Sequence, residues 1–258
     1  MFFPFRDDNP HTTTPFVNYG LIAACVLVFL WEVSTGERGQ QGITYVFGLI
    51  PARLFGSAAP EPGLPEIAPW LTIFTSMFLH GGWMHLLGNM LYLWIFGDNL
   101  EHSLGHTRYL VFYLLCGIAA AFAQSMSAPT SEIPMVGASG AISGVLGAYL
   151  VLHPKANIRV FVFLIIITTI NLPAYIVLGG WFVMQLISSA QVSAGEAGVA
   201  FLAHIGGFIA GAVLVFFFRR REVAVFQPAH SQAFAVERKP YRRGSVPDTG
   251  GTRRGPWS

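Results

Sequence analysis

Five stretches of the chain, at residues 16–31, 71–96, 109–126, 172–190 and 199–218, run for about twenty residues each and are almost free of charge. A hydrocarbon core of about 30 Å is crossed by about twenty apolar residues in a helix, so each run reads as a membrane span. A sixth run, 136–152, is shorter and rich in glycine, which suits a helix enclosed by others rather than facing lipid. The expected fold class is an all-α polytopic membrane protein, a six-helix bundle with a short central fourth helix. Composition agrees: 53% of residues are hydrophobic and 11% charged, against about a quarter charged in soluble domains. The run 160–170 is too short to span. It lies between Arg159 and the Asn171-Leu172-Pro173 break, and is expected to be an interfacial or re-entrant lead-in to the fifth helix.

Charge distribution sets the expected orientation. With six spans and residue 1 on the cytoplasmic side, that side holds Arg6, Arg108, Lys155, Arg159 and nine basic residues from Arg219 onward, thirteen in all, and the other side only Arg38 and Arg53. Lys and Arg accumulate on the cytoplasmic side, so both termini are expected there, in a bacterial cytoplasmic (inner) membrane. Asp7 and Asp8 beside Arg6 do not make a basic signal region, and the first helix is read as uncleaved. Three parts follow: a cytoplasmic segment 1–15, a helical domain 16–218 and a basic tail 219–258. The tail mixes Pro, Gly, Ser and basic residues without periodicity and reads as disordered, with no nucleic-acid partner expected. The connection 32–69 is long enough to be structured. Cys25 and Cys116 both lie in apolar runs and indicate no disulfide framework.

Two polar residues stand out against this background. Ser139 lies in Gly137-Ala138-Ser139-Gly140, and His204 in Ala203-His204-Ile205-Gly206-Gly207, each opening an apolar run. An ionisable residue in such a run is expensive in lipid and marks function; with a serine it reads as nucleophile and base. Gly140, Gly144 and Gly147, with Gly207 and Gly211, form small-residue surfaces for close helix packing. Packing alone requires no histidine, but it would bring the two side chains together. His85 and Asn89 are four apart, on one helix face. An imidazole and a carboxamide both qualify as donors to a developing oxyanion; the alternative is a helix–helix hydrogen bond. His80 lies off that face and is expected to brace the loop. The second, fourth and sixth spans all start from one side, so His85, Ser139 and His204 reach one depth, about 5–10 Å at 1.5 Å per residue. Glu32 and Asp98 fall at segment ends, so no third, acidic member is evident. There is no pair of buried aspartates and no His-Glu-x-x-His, and a metal at His80, His85 and His204 is not expected. The loops 127–134 and 193–198 are placed to cap a hydrated cavity.

These motifs, in this order, resemble the rhomboid family of intramembrane serine proteases. The resemblance covers about residues 16–218 and rests on His85-x-x-x-Asn89, Gly137-x-Ser139-Gly140 and Ala203-His204-x-Gly206-Gly207. It implies Ser139 as nucleophile, His204 as base, and His85, Asn89 and the Ser139 backbone N–H as the oxyanion site. It also implies no cofactor, and single-span transmembrane protein substrates cut within the lipid bilayer near a small residue. Two positions depart from the family pattern. Trp70-Leu71 stands where many members have Trp-Arg, so the first loop must be held differently. Ser143 stands four residues after the nucleophile, where some members stack an aromatic ring on the histidine, which leaves the orientation of His204 to other contacts. The rival expectation is a rhomboid-like pseudoprotease that binds transmembrane clients without cleavage.

Overall fold

Long helices form in all six runs. The computed structural model describes residues 2–9, 13–163, 167–191 and 200–229. Its long helices are α1 (Phe16–Ser34), α5 (Trp83–Leu104), α6 (His106–Ser127), α7 (Ser139–Leu152), α8 (Ala174–Gln191) and α9 (Phe201–Phe218), with short α2 (Gly36–Phe47), α3 (Pro51–Leu54) and α4 (Thr72–Thr75) between the first two. Four of them, α1, α6, α8 and α9, are long and apolar enough to cross a membrane.

The core is built around α7. A helix that is apolar all round belongs in a core or in lipid; here eleven of its fourteen residues are buried against α5, α6, α8 and α9. Contact with α9 is backbone against backbone. A Cβ on Gly207 would run into the Gly140 carbonyl, one on Gly211 into the Gly144 carbonyl, and one on Gly147 into that of Phe208. On the far side of the bundle α1 is tied to α5 by polar contacts. The Glu101 carboxylate accepts the backbone N–H of Val17 at 3.0 Å and of Asn18 at 2.7 Å, satisfying donors that a helix start leaves open. Asn18 in turn donates to the Leu93 carbonyl at 3.0 Å and accepts from the Tyr109 hydroxyl at 2.8 Å.

The connection 32–69 is structured, as expected. The second helix differs from expectation. The run 71–96 is broken: a 3₁₀ turn at Pro69–Leu71 and α4 come first, and α5 starts only after Gly81 and Gly82, which favour a turn over a continuous helix. The all-α expectation also needs correction, at the run 160–170. The described residues there form two antiparallel strands, β2 (Asn157–Phe163) and β3 (Ile167–Pro173), and β2 pairs on its other edge with β1 (Phe2–Asp7). The β-branched and aromatic residues of this run favour strands, and the backbone groups of a short extended segment are satisfied by pairing. The β1 register, with Phe3 opposite Phe161 and Asp7 opposite Ile158, is broken between Pro4 and Arg6, beside a proline that lacks an N–H to donate. Beyond α9 the described chain runs on to residue 229. The chain turns back under the bundle: Arg220 N–H bonds the Ser103 carbonyl, Phe226 N–H that of Val151, and Gln227 N–H that of Leu152. The first of these bonds satisfies a carbonyl at the end of α5, and the other two satisfy carbonyls at the end of α7, which helix ends leave open. Residues 230–258 lie outside the described residues.

The sheet and α7 meet at Asp7. Its Oδ2 accepts from the Tyr149 hydroxyl at 2.6 Å and from Asn99 Nδ2 at 2.7 Å. Burial pushes this carboxyl up from 3.8 to about 7, with Asp98 and Asp8 adding to the rise and the Tyr149 bond opposing it. A carboxyl that holds its proton more tightly in the folded state contributes stability at low pH that is lost as pH rises to its folded value. Thermal stability should therefore fall as pH is raised from about 4 to about 7, and Asp7→Asn should flatten that slope. Unfolding of both proteins in detergent across this range is the check; equal slopes would contradict the account.

Candidate active site

Gly137 sets up the site. Its φ of +127° is one that side chains other than glycine rarely adopt, and its N–H is held by the Ser76 carbonyl at 2.8 Å. A Cβ here would lie 2.7 Å from Cε1 and 2.8 Å from Nε2 of His85. The absent side chain is what lets the imidazole rest against the turn that leads into α7. Ser139 follows as the first residue of that helix, where backbone N–H groups are unpaired and the helix dipole is positive.

His204 arrives from the first turn of α9, whose Ala203 N–H is capped by Gln124 Oε1 at 3.3 Å. Its Nε2 lies 2.8 Å from Ser139 Oγ, within the range for a nucleophile and its base. The other ring nitrogen, Nδ1, lies 2.8 Å from Gln185 Oε1 of α8. The Trp181 ring, one turn earlier on α8, sits 5.8 Å from the imidazole at 38°. Ser143, in the position that some rhomboids fill with an aromatic ring, donates instead to the Ser139 carbonyl at 2.6 Å.

His85 and Asn89 project from the start of α5 into the same space. With Ser139 and His204 they line a cavity of about 880 Å³. Asn89 Nδ2 is buried and has no hydrogen-bond partner among the described residues. An unpaired buried donor is costly, and this one borders a cavity where an acceptor can be placed. His80 stands apart from the serine. It is 2% exposed, its N–H is held by Glu32 Oε2 at 3.3 Å, and its Nδ1 lies 3.2 Å from the Phe78 carbonyl. It braces the loop before α5, and Glu32, at the end of α1, serves that loop.

The rim of the cavity includes Ser127, Ser131 and Pro134 from the 127–134 loop; the 193–198 loop lies outside the described residues. The first loop is held without the Trp-Arg pair. Leu49 and Met135 exchange backbone bonds at 3.0 and 2.8 Å, Arg53 Nη1 reaches the Tyr45 carbonyl at 2.8 Å, and Thr75 Oγ1 the Phe47 carbonyl at 2.6 Å. Among the described residues no three His, Cys, Asp or Glu side chains gather where a metal ion could be held.

Sequence reasoning missed Gln185 and Trp181. The available signal was a long polar amide inside an otherwise apolar run, four residues after a tryptophan and so on the same helix face.

A serine at the start of an enclosed helix, against a histidine on a neighbouring span, defines a class of polytopic membrane protein. A rhomboid domain matches residues 68–221, and the chain belongs to the rhomboid family. It is similar to the rhomboid protease GluP of Bacillus subtilis (strain 168), at 33% identity over 76% of this chain and 34% of that protein. It also resembles the putative rhomboid protease YdcA of the same organism, at 33% identity over 55% of this chain and 78% of the relative. The mitochondrial presenilin-associated rhomboid-like protein of Homo sapiens is 31% identical over 55% of this chain and 34% of its own length. The chain thus spans about a third of GluP, but most of YdcA.

Gly137→Ala tests the geometry of the site. A non-glycine residue in a strained backbone region costs about 1–3 kcal/mol, and the new methyl would displace His85. The variant should lose thermal stability in detergent and show disturbed His85 resonances, while Gly56→Ala, in open space at a φ of +75°, should carry the backbone cost alone. Equal effects at the two positions would remove the His85 contact from the explanation.

Proposed function

We propose that this rhomboid is an intramembrane serine endopeptidase that cleaves transmembrane segments of membrane proteins. The observation that carries the proposal is the 2.8 Å contact between Ser139 Oγ and His204 Nε2 at the wall of the cavity. In the proposed reaction Ser139 Oγ attacks the scissile carbonyl carbon as its proton passes to His204 Nε2. The resulting oxyanion takes hydrogen bonds from Asn89, His85 and the Ser139 backbone N–H. Return of the proton to the departing amine breaks the peptide bond and leaves an acyl-enzyme on Ser139. Water, deprotonated by the same imidazole, then releases the second product and restores the serine. Preorganised donors of this kind contribute roughly 10²–10³-fold each in rate, and the unpartnered Asn89 amide supports such a role. A pseudoprotease would need neither a serine within reach of the base nor a waiting donor, and both features favour cleavage.

In the proposed topology all six long helices span a bacterial cytoplasmic membrane, with both termini cytoplasmic. At 1.5 Å per residue, α7 is about 21 Å long, shorter than the bilayer core and enclosed by its neighbours. Its Ser139 end then faces the outside, where water reaches the cavity. Single-span transmembrane proteins are the proposed substrates. No cofactor is part of the proposed reaction.

Ser139→Ala and His204→Ala should each abolish cleavage of a transmembrane test substrate and remain folded, with the double variant no worse than either, since residues that act as a unit lose activity non-additively. Asn89→Ala should lower turnover roughly 10–1000-fold yet keep reaction of Ser139 with a serine-directed probe. Persistent cleavage by Ser139→Ala would end the protease reading. For topology, a cysteine at Glu132 should react with an impermeant thiol reagent applied outside whole cells and one at Arg159 should not; both positions are exposed, and Cys25 and Cys116 are buried. The reverse pattern would invert the orientation.

A further inference from the structure

The base of a serine hydrolase has two ring nitrogens and needs a partner for each. For Nε2 of His204 to receive the Ser139 proton, the neutral ring must carry its hydrogen on Nδ1, and that N–H needs an acceptor. In a triad the acceptor is a carboxylate, which fixes the tautomer and stabilises the imidazolium as it forms. Around His204 the acceptor is Gln185 Oε1, at 2.8 Å. A glutamine amide presents either an oxygen or an NH₂ group, and only the oxygen is compatible with Nδ1–H.

We propose that Gln185 is the positioning residue of the base, completing a Ser139–His204–Gln185 relay whose third member is supplied by α8. The proposal rests on the protease reading and adds to it how the imidazole is held. Gln185 itself is set back from the cavity, which Trp181 and His204 line, so it acts through the histidine and not on substrate. Leu178, Trp181 and Gln185 fall at i, i+3 and i+7, one face of α8. That face meets α9 through Trp181 and Phe208, with ring centroids 6.2 Å apart, and through the neighbouring Phe182 stacked on Phe208 at 4.4 Å. These contacts fix the rotation of α8 and so aim the Gln185 amide. The same helix supplies the ring beside the imidazole that Ser143 does not. Both contacts that orient His204 from behind therefore come from α8. A neutral acceptor fixes the tautomer as a carboxylate would, but stabilises the imidazolium less.

The test uses the purified full chain in proteoliposomes with a transmembrane substrate, comparing wild type, Gln185→Leu and Gln185→Glu. Gln185→Leu removes the acceptor and should lower kcat about 10–100-fold with KM within about threefold, since the loss falls on the transition state. Gln185→Glu should recover kcat at high pH and move the acid limb of the kcat profile upward by about one pH unit, because a carboxylate favours the protonated imidazole. An independent readout is the ¹⁵N spectrum of histidine-labelled protein, with His204 assigned by its loss in His204→Ala. Wild type should show a single Nδ1–H tautomer, and Gln185→Leu a tautomer mixture. Wild-type kcat and an unchanged tautomer in Gln185→Leu would overturn the proposal. So would a loss of kcat that tracks a drop in Tm and leaves the Gln185→Glu acid limb unmoved. If wild type fails to cleave, the protease reading falls, and the ¹⁵N spectrum still decides for or against Gln185 as the group that orients the ring.

Discussion

The close approach of α7 and α9 is the constraint on which the rest of the molecule depends. The serine and the histidine belong to different helices, and each can reach the other only if the two backbones nearly touch. Gly140 against Gly207 and Gly144 against Gly211 remove every side chain that would hold them apart. Helices in lipid gain no hydrophobic free energy by meeting, so packing of small residues and hydrogen bonds must hold them together. The stripe that supplies this attraction begins at Gly140, beside the serine. Fold and site are thus specified by the same few residues.

Around that contact the polar groups divide by depth. At the Leu152 end of α7 they hold the chain in place: Asp7 meets Tyr149 and Asn99, Glu101 caps α1, and the segment after α9 returns its N–H groups to Val151 and Leu152. At the Ser139 end they are left open to a cavity, and Asn89 Nδ2 has no partner among the described residues. At the Leu152 end the polar groups tie distant segments of the chain together. At the other, the Asn89 amide donor borders a cavity, and the proposed reaction would use it for charge that develops in the transition state.

Much of this could be read from the sequence, for a physical reason. Long apolar runs in lipid have few alternatives to helix, so each of the six expected runs contains a long helix. Polar residues inside such runs are rare enough to be conspicuous, which is why Ser139, His204, His85 and Asn89 could be singled out. What escaped was of a different kind. The pairing of β1 with β2 joins segments that are far apart in sequence, and pairing of that sort leaves no periodic trace in either partner alone. Gln185 escaped because an amide in an apolar span can equally serve helix packing; only the position of His204 opposite it distinguishes the two. The break before α5 was hidden because the residues on both sides of Gly81-Gly82 are apolar. The dependence also ran the other way: α5 falls outside the four strongly apolar helices, and it is the one that carries His85, Asn89, Asp98 and Glu101 together.

The three-stranded sheet bears on how the chain is assembled. Asp7 and Tyr149 are 142 positions apart, and Asp8 and Asn157 are 149 apart. β1 is therefore synthesised long before β2 exists, and it must remain unpaired while several helices are made and inserted. Strand edges left open in this way are prone to pair with other chains, and contacts between distant segments form slowly. Pro4 and the adjacent register break limit how regular a ladder β1 can offer to a wrong partner during that wait. Closure of the sheet over the Leu152 end of α7 then becomes a late step of maturation, a latch set only after the central helix has been delivered into the membrane.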